Sequence, residues 1–339
     1  MSATLQRKSL LGLTLNEIAA ALNRANIDEK YATRIAYWIY RKQASSSDEM
    51  VNIAGTVRQS VASHFVTGFI RPSQRIESQD QSVKYIFDYP GNRTVEAVFI
   101  PEAKRNTICL STQCGCARQC SYCRTGEMGL TGNLSAGEIV NQVLSTAEAR
   151  TITHVVFMGM GEPLDNTSEV ISAIEILTAE WGMALASANI TVSTVGIIPG
   201  IEKLLAATRC NLTLSLVSPI PSERAQLVPA EKTYPAATII NMMKSAPPAR
   251  KRRFTIAYMM LAGINDSDTH LSALINLIKG SALRVNLLKY HTHGDLTFQP
   301  SPSQRVEEFR SALLNAGISA SIRKSRGEDI SAACGMLGN

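Results

Sequence analysis

The strongest constraint on the fold is an alternation of strand-like and helix-like segments between residues 107 and 323. Short apolar runs predict strands, and the segments between them carry apolar residues at helical spacing. The predicted strands cover residues 107–111, 152–158, 190–194, 211–217, 253–261, 282–290 and 318–323. Repeated β/α units favour a parallel sheet, and roughly six units fall short of a closed eight-unit barrel. We therefore predict an α/β fold with a partial (β/α)6 barrel, whose functional residues lie at the carboxyl ends of the strands.

The residues before this series predict two smaller units. Residues 14–65 carry apolar side chains at helical spacing, and residues 84–100 predict a hairpin around a turn at residues 89–92. We predict a small helical N-terminal accessory domain over residues 1–75, a β-hairpin linker over residues 76–106 that carries Glu96, and a catalytic domain over residues 107–339.

The positive charge is concentrated near the amino end. The net charge is +6, and residues 1–75 alone hold ten Lys and Arg against five Asp and Glu. A basic segment on a nearly neutral body favours an anionic partner such as nucleic acid. A solvated face without a partner is the alternative that charge alone leaves open.

Composition argues against secretion and membrane insertion. Residues 1–10 lack the apolar core of a signal peptide. The longest uncharged run, residues 181–201, includes Asn189, Ser193 and Pro199, so we predict a loop, a strand and a turn there rather than a membrane span. We expect a cytoplasmic protein. The seven cysteines, an odd number, also disfavour a disulfide scaffold.

Five of the cysteines fall within residues 109–123, which predicts metal or redox chemistry. Cys116, Cys120 and Cys123 have the spacing C-x3-C-x2-C in the loop after the first predicted strand. Three such thiolates can each bind one iron of a [4Fe–4S] cluster and leave the fourth iron open to a ligand. Structural zinc normally needs four ligands, and Cys109 or Cys114 could supply the fourth.

This spacing resembles the signature of the radical S-adenosylmethionine (SAM) superfamily, and Tyr122 before the last cysteine fits it. Further motifs narrow the resemblance, namely CLSTQCGC at residues 109–116, FMGMGEPL at 157–164, STVG at 193–196 and AACG at 332–335. Together they resemble the RlmN/Cfr family of radical-SAM methyltransferases over residues 95–339. That family methylates C2 or C8 of adenosine in large-subunit ribosomal RNA, and some members of its C2 branch act on transfer RNA. The stretches at residues 113–116 and 193–199 are more similar to the C8 branch.

The resemblance implies two cofactors, a [4Fe–4S] cluster on Cys116, Cys120 and Cys123, and SAM. The implied SAM contacts are Gly161, Glu162, Ser193, Ser215, Leu216, Val217 and His291. Glu162 would accept hydrogen bonds from the ammonium group of SAM. Without the resemblance, the Gly-rich loop at residues 159–162 would be assigned as a plain turn.

The resemblance also implies three catalytic residues. Cys334 would carry the methyl group: one SAM methylates its sulfur, and a second yields a 5′-deoxyadenosyl radical that takes hydrogen from that methyl group. The carbon radical adds to adenine, Glu96 accepts the proton of the attacked carbon, and Cys109 releases the adduct by forming a disulfide with Cys334. Without the resemblance, Cys334 would be assigned as a small hydrophobe and Glu96 as a salt-bridged strand residue.

Three residues depart from the family pattern. Val217 stands where the family usually has His, His291 where it usually has Asn, and Arg124 where it usually has a small residue. His291 can still donate a hydrogen bond, whereas the Val217 side chain cannot. We therefore expect the departures to affect the details of the SAM site.

We expect RNA as the partner, an electron donor such as flavodoxin, no membrane, and a monomer. The residues predicted to contact RNA are those of the basic accessory domain together with Arg250, Lys251, Arg252, Arg253, Arg323, Lys324 and Arg326. Two other functions stay open, a radical-SAM enzyme on another substrate and a non-catalytic RNA-binding or metal-binding relative.

Overall fold

The computed structural model describes residues 7–246, 252–292 and 298–338. The strands are β1 (Lys8–Ser9), β2 (Phe65–Val66), β3 (Gln74–Glu77), β4 (Val83–Tyr89), β5 (Arg93–Glu102), β6 (Arg105–Cys109), β7 (Gln113–Gly115), β8 (Leu130–Asn133), β9 (His154–Phe157), β10 (Ile190–Thr194), β11 (Asn211–Ser215), β12 (Phe254–Met260), β13 (Arg284–Lys289) and β14 (Ala320–Ile322). The α-helices are α1 (Leu15–Arg24), α2 (Ala32–Tyr40), α3 (Gly55–His64), α4 (Arg124–Glu127), α5 (Ala136–Leu144), α6 (Thr167–Thr178), α7 (Ile198–Ala207), α8 (Pro221–Leu227), α9 (Ala236–Ser245), α10 (Asp268–Ile278) and α11 (Ser303–Asn315).

One ten-stranded sheet organises the molecule, in the order β14-β13-β12-β11-β10-β9-β6-β5-β4-β3. The seven strands from β14 to β6 pair in parallel, and they match the seven predicted strands. Helices connect them, and the sheet remains open between β3 and β14 over the residues that the structure describes. The predicted partial (β/α)6 barrel is thereby confirmed.

Each central strand buries one face in the core through alternate apolar residues, while polar residues alternate with them on several strands. Val155, Val192, Leu212, Ile256 and Leu287 are each fully buried, one on each strand from β9 to β13. Helix α5 begins at Ala136, because Ser135 and Glu138 form a capping box. Helix α8 was not predicted, since its seven residues carry little apolar periodicity.

The predicted hairpin forms as β4 and β5, and its strands belong to the main sheet. Strand β5 pairs antiparallel with β6, and Val98 lies opposite Cys109. On one face of the hairpin, Tyr85 and Tyr89 donate hydrogen bonds to Glu148 and to the Glu138 carbonyl. Glu96 is therefore fixed in register with the first parallel strand. The boundaries of the three domains stay predictions.

The amino-terminal helices pack through one apolar face. Ile18, Leu22, Ile35 and Ile39 are fully buried, as the helical spacing predicts. These residues join the same hydrophobic cluster as the sheet. Among the described residues, no helix is long and apolar enough to cross a membrane.

Candidate functional site

Two cavities meet inside the parallel part of the sheet. The first, which we call the thiol cavity, is lined by Cys116, Cys120, Cys123, Gly161, Glu162, Ser193 and Ser215 among others. The second, which we call the basic cavity, is lined by Cys109, Arg105, Arg253 and Arg284 among others. Cys334, Met158 and Arg323 line both. Cys334 therefore lies at the wall that the two cavities share.

The three thiols of the cysteine loop are crowded and poorly solvated. Burial raises the pKa of Cys116 to about 12, and it raises the pKa of Cys120 and Cys123 as well. The neighbouring thiols raise the pKa of Cys116 and Cys120 further. A metal cation would stabilise the thiolate forms that this environment disfavours.

Backbone groups of the loop are already directed at the sulfur atoms. The amide of Arg118 donates to Cys116 Sγ at 3.5 Å, and the amides of Thr125 and Gly126 oppose the rise in the pKa of Cys123. Amide hydrogen bonds to sulfur are among the interactions that tune iron–sulfur clusters. The Arg118 side chain pairs with Asp165 through two hydrogen bonds, so it ties the cysteine loop to the loop after β9.

The donor set fits a cluster bound by three cysteines. Cys114 donates to the Thr94 carbonyl at 3.3 Å, and Cys109 lines the basic cavity rather than the thiol cavity. Neither lines the thiol cavity beside the other three. In the described ranges, no three His, Cys, Asp or Glu side chains converge on a position for one metal ion. A [4Fe–4S] cluster makes a different demand, because each of its three thiolates binds a separate iron.

The loop after β9 requires glycine at residue 161. Gly161 has a φ of +94°, and a Cβ there would lie 2.5 Å from the Cβ of Gln113. The Gln113 side chain accepts a hydrogen bond from the amide of Glu162 at 2.8 Å. These contacts hold the loop against β7 and direct the Glu162 side chain inward.

Glu162 is a buried carboxyl at the wall of the thiol cavity. It accepts hydrogen bonds from the amides of Leu164 and Val195, each at 2.9 Å. Burial raises its pKa to about 7, although these hydrogen bonds and one from Thr194 oppose the rise. A bound ammonium group would supply the positive charge that this carboxylate lacks.

The SAM contact that the resemblance implies for Glu162 predicts that the affinity for SAM falls as the pH drops below 7. The Glu162 carboxyl, with its pKa of about 7, becomes neutral there and loses its attraction for ammonium. The α-amino group of a ligand loses its proton near pH 7.8, so binding should peak between pH 7 and 8. We expect binding about fivefold weaker at pH 6 than at pH 7.4. Calorimetry with SAM on the anaerobic protein measures this.

The control for this experiment is Glu162→Gln, which keeps the size of the side chain and has no ionisable group. Its affinity should be weak and should stay flat between pH 6 and 7.4. If the affinity of Glu162→Gln for SAM still fell below pH 7, another group would be the cause of the pH dependence.

Ser193 and Ser215 come together from adjacent strands. Their hydroxyl groups lie 3.4 Å apart, and both line the thiol cavity. Strands β10 and β11 pair in parallel, so their carboxyl ends meet at one edge. Ser193 is the last residue but one of β10 and Ser215 is the last residue of β11, and the register of the two strands brings their side chains together.

Leu216 and Val217 do not line either cavity. Both are fully buried, and the φ of Val217 is +61°, a left-handed conformation that a β-branched residue rarely adopts. Asn265 holds this turn by donating to the carbonyls of Val217 and Met259, each at 2.7 Å. The structure therefore gives the Val217 side chain a place in the core and not at the cavity wall.

His291 lies in the basic cavity and not in the thiol cavity. One ring nitrogen bonds to the Ser325 hydroxyl at 2.7 Å, and the other contacts Glu328. The arrangement joins the end of β13 to the carboxyl-terminal segment. Arg124, the third departure from the family pattern, pairs with Glu127 on α4.

Arg224 is a residue of this region that sequence analysis missed. It is fully buried, and it donates to the carbonyls of Val195, Ser215 and Leu216 at 2.7 to 3.0 Å. Its other nitrogen pairs with buried Glu231. Arg224 thus fixes the ends of β10 and β11 beside the two serines. The one available signal was an arginine followed seven residues later by a glutamate, which is too common to interpret.

The carboxyl-terminal segment that carries Cys334 is attached at both ends. At its start, the amide of Gly327 donates to Asp80 at 3.0 Å, and Asp329 accepts from Ser78 at 2.5 Å. At its end, Thr125 donates to the Leu337 carbonyl at 2.7 Å, and the Arg124 amide donates to the Gly335 carbonyl at 2.9 Å. Between these attachments the Cys334 side chain is exposed.

Cys109 and Cys334 are neighbours, and neither forms a disulfide here. Burial raises the pKa of the Cys109 thiol to about 12; the Cys334 thiol adds to the rise, and the Arg323 guanidinium opposes it. Both thiols line the basic cavity. The fold therefore brings together two cysteines that are 225 residues apart in the sequence.

Glu96 lies under the carboxyl-terminal segment. It is 2% exposed and accepts a hydrogen bond from the amide of Gly338 at 3.2 Å. The buried ammonium of Lys84, on the neighbouring strand, lies 3.6 Å from its Oε1. Glu96 therefore has the salt bridge that strand position alone suggested, and it also contacts the segment that carries Cys334.

Several of the predicted RNA-contacting residues share one cavity. Arg253, Arg323, Lys324 and Arg326 all line the basic cavity. Arg252 instead donates to carbonyls at the end of α7. Arg250 and Lys251 lie outside the described residues.

Comparison with known proteins agrees with this arrangement. Residues 110–274 match the Radical SAM superfamily. A crystal structure of a radical SAM methyltransferase from Sphaerobacter thermophilus superposes with a TM-score of 0.91, at 35% sequence identity and over 97% of this chain and 99% of that one. The fold and the three-cysteine loop thus define a radical-SAM enzyme, and that class binds SAM and a [4Fe–4S] cluster.

The curated relatives identify the family. A probable dual-specificity RNA methyltransferase RlmN from Parabacteroides distasonis is 40% identical over 98% of this chain and 96% of its own length. Its counterpart from Porphyromonas gingivalis is 41% identical over 97% and 96%, and RlmN from Desulfosudis oleivorans is 34% identical over 99% and 92%. The chain belongs to the RlmN family.

Proposed function

We propose that this protein is a SAM-dependent RNA methyltransferase that methylates C2 or C8 of an adenosine in 23S ribosomal RNA or in transfer RNA. The observation that carries the proposal is the position of Cys334. One cavity beside it holds the three cluster cysteines and Glu162, and the other holds Cys109. A methyl carrier needs access to both the methyl donor and the acceptor, and the shared wall is where it would have both.

In the proposal, the cofactors supply the reactive groups, and the protein binds and orients the cofactors. When bound, the cluster and SAM supply a methyl group and a radical that can abstract hydrogen, which an unreactive adenine carbon requires. In the proposal, Cys116, Cys120 and Cys123 bind the cluster, while Gly161 and Glu162 orient SAM. Ser193 and Ser215 offer hydroxyl groups to the same ligand.

Three residues of this chain complete the transfer. Cys334 carries the carbon on its sulfur and bonds it, as a radical, to adenine. The attacked carbon then loses its proton to Glu96, and the remaining unpaired electron would return to the bound cluster, which supplies one electron at the start of the cycle. The Cys109 thiolate then attacks Cys334 Sγ, so that a sulfur–sulfur bond forms and the sulfur–carbon bond breaks. The electron pair of the broken bond stays on the new methyl carbon, which takes a proton from solvent.

The surroundings of Glu96 suit a proton acceptor. The Lys84 ammonium lies 3.6 Å from the carboxylate, and both side chains are buried. The hydrogen bond from Gly338 connects this carboxylate to the cysteine segment. Movement of that segment would expose Glu96 to a bound base.

The departures from the family pattern bear on the details of the SAM site. Because Val217 is buried outside both cavities, SAM contacts in the proposal come from Ser193 and Ser215 and not from that side chain. His291 lies on the acceptor side, next to Ser325 and Glu328, so we assign it to the RNA side of Cys334.

The test is nucleoside mass spectrometry on ribosomal and transfer RNA from a host that lacks its own family enzyme. Cells that express the intact protein should contain a new methyladenosine, and its C2 or C8 isomer identifies the target carbon. Cells that express Cys334→Ala, the matched control, should contain none. SAM cleavage without methyladenosine would favour another substrate, and a colourless zinc protein would favour a non-catalytic relative.

The remaining partners belong to the same proposal. We infer an electron donor such as flavodoxin, a monomeric state and a cytoplasmic location. Sedimentation of the purified protein tests the monomer, and reduction of the cluster by flavodoxin tests the donor.

A further inference from the structure

The basic cavity has a polar wall at positions that are filled by apolar side chains in a closed eight-stranded β/α barrel. The interior of a β/α barrel normally packs branched aliphatic side chains in layers. Here the wall includes Thr107, Thr191, Thr213, Thr255 and Asn286, which come from five different parallel strands. Hydroxyl and amide groups at these positions offer hydrogen bonds to a polar ligand and leave room for one.

Positive charge gathers at the amino-terminal edge of the same strands. Arg105 and Arg284 are the first residues of β6 and β13, and Arg253 directly precedes β12. All three line the basic cavity, and Glu102 is the one carboxylate residue among its described lining residues. Parallel strands begin at one edge of a sheet, so these guanidinium groups surround one opening of the basic cavity. We call this opening the basic mouth.

One acidic residue, Glu102, lies near the three arginines. In the described part of the chain none of the three arginines forms a salt bridge, and the side chain of Arg105 donates to the Thr107 hydroxyl at 2.9 Å. Burial lowers the pKa of Arg105, and the guanidinium groups of Arg323 and Arg253 lower it further, while Glu102 opposes the shift. The nearby His154 also has a lowered pKa, caused by burial and by Arg105 and Arg253. A bound anion would relieve this repulsion.

The other end of the basic cavity reaches the two thiols. Arg105 is the first residue of β6 and Cys109 is the last. At about 3.3 Å per residue, the strand extends roughly 13 Å from the basic mouth to Cys109. Cys334 lies at this same end. A base that has been extruded from its stack could enter to that depth, whereas a base inside a helix could not.

We propose that the basic cavity binds the target nucleotide of the RNA, with its phosphates on Arg105, Arg253 and Arg284. Arginine is suited to this role because its planar group binds phosphate oxygens in pairs. RNA would then enter from the amino-terminal edge of the parallel strands, and SAM would reach Cys334 through the thiol cavity. The inference rests on the proposed function and adds to it a binding site and a direction of entry.

The test compares two triple variants of the full-length protein. Arg105→Gln, Arg253→Gln and Arg284→Gln together remove the basic mouth. Lys203→Gln, Lys232→Gln and Lys279→Gln together remove the same charge from exposed sites outside both cavities. Binding of a 23S ribosomal RNA transcript and of transfer RNA is measured over a range of KCl concentrations.

We expect the arginine variant to bind at least tenfold more weakly at 0.15 M KCl. The slope of log K against log salt should fall in magnitude by about two to three, because each lost phosphate contact removes about one unit. The lysine variant should change little. A variant with Lys at the three arginine positions should recover most of the slope, since it keeps the charge.

Methylation of Cys334, measured by intact-protein mass after incubation with SAM, separates the two proposals. If it occurs in the arginine variant, the fold and the SAM site are intact. RNA binding equal to that of the lysine variant would then overturn the inference and leave the proposed function standing. Stoichiometric binding of inorganic phosphate with unchanged RNA binding would also overturn it, because the cavity would be a small-anion site. Failure of the intact protein to methylate RNA would count against the proposed function itself.

Discussion

Cys109→Ala is expected to leave the protein covalently attached to RNA. In the proposed order of reaction steps, the base is bonded through the transferred carbon to Cys334 Sγ. A carbon–sulfur bond of this kind does not hydrolyse. Only a second thiol can displace it, and Cys109 is the thiol that shares a cavity with Cys334. We expect a nuclease-sensitive band on denaturing gels and a nucleotide mass on the Cys334 peptide.

Two controls make this result specific. Cys109→Ala combined with Cys334→Ala should carry no RNA, because the attachment atom is gone. Cys210→Ala replaces another buried cysteine, one that lines neither cavity, and should behave as the unaltered protein does. RNA retained by the double variant, or no retention by Cys109→Ala in cells where the intact protein methylates RNA, would rule out the assigned role.

Arg224→Met is expected to have the largest effect on stability, about 3–5 kcal/mol of the free energy of unfolding. The change leaves Glu231 as a buried charge without its partner, and it removes the donors to the carbonyls of Val195, Ser215 and Leu216. Urea unfolding of the cofactor-free protein measures the loss. SAM binding should weaken as well, since these carbonyls position the ends of β10 and β11.

A second change and a surface pair serve as controls. Adding Glu231→Gln to Arg224→Met removes the unpaired buried charge, keeps an acceptor for the Ala236 amide and should recover part of the lost stability, while the three carbonyls still lack their donor. Arg310→Met breaks a half-exposed pair with Glu307 and should cost less than about 1 kcal/mol. Equal losses in Arg224→Met and Arg310→Met would contradict this account of Arg224.

Much of the architecture was predictable because the signals are local. Each predicted parallel strand forms, since a run of buried apolar residues between turns has few other structures available. Cys116, Cys120 and Cys123 could be grouped for the same reason, as they lie within eight residues of one loop. Glu162 could be placed near them, because parallel β/α units bring successive strand ends to one edge.

The positions of some side chains could not be predicted, because contacts between segments far apart in the sequence decide where they lie. Val217 follows a strand as Ser193 and Ser215 do, yet a left-handed turn held by Asn265 buries it away from the cavities. His291 also follows a strand, but it pairs with Ser325 and Glu328 on the other side of Cys334. The burial of Arg224 could not be predicted, because a short stretch of sequence does not show which charged side chains are buried.

The sequence by itself determined the β/α order, the three-cysteine loop and the family, because each depends on spacing over a few residues or on motifs in fixed order. Only the tertiary structure decided that Cys334 lies between two cavities, that Lys84 faces Glu96, and that three arginines without a salt bridge to any described residue surround one opening of the basic cavity. These relations join side chains far apart in the chain. They are set by strand register and by the attachment of the carboxyl-terminal segment, which depend on the packing of the whole sheet.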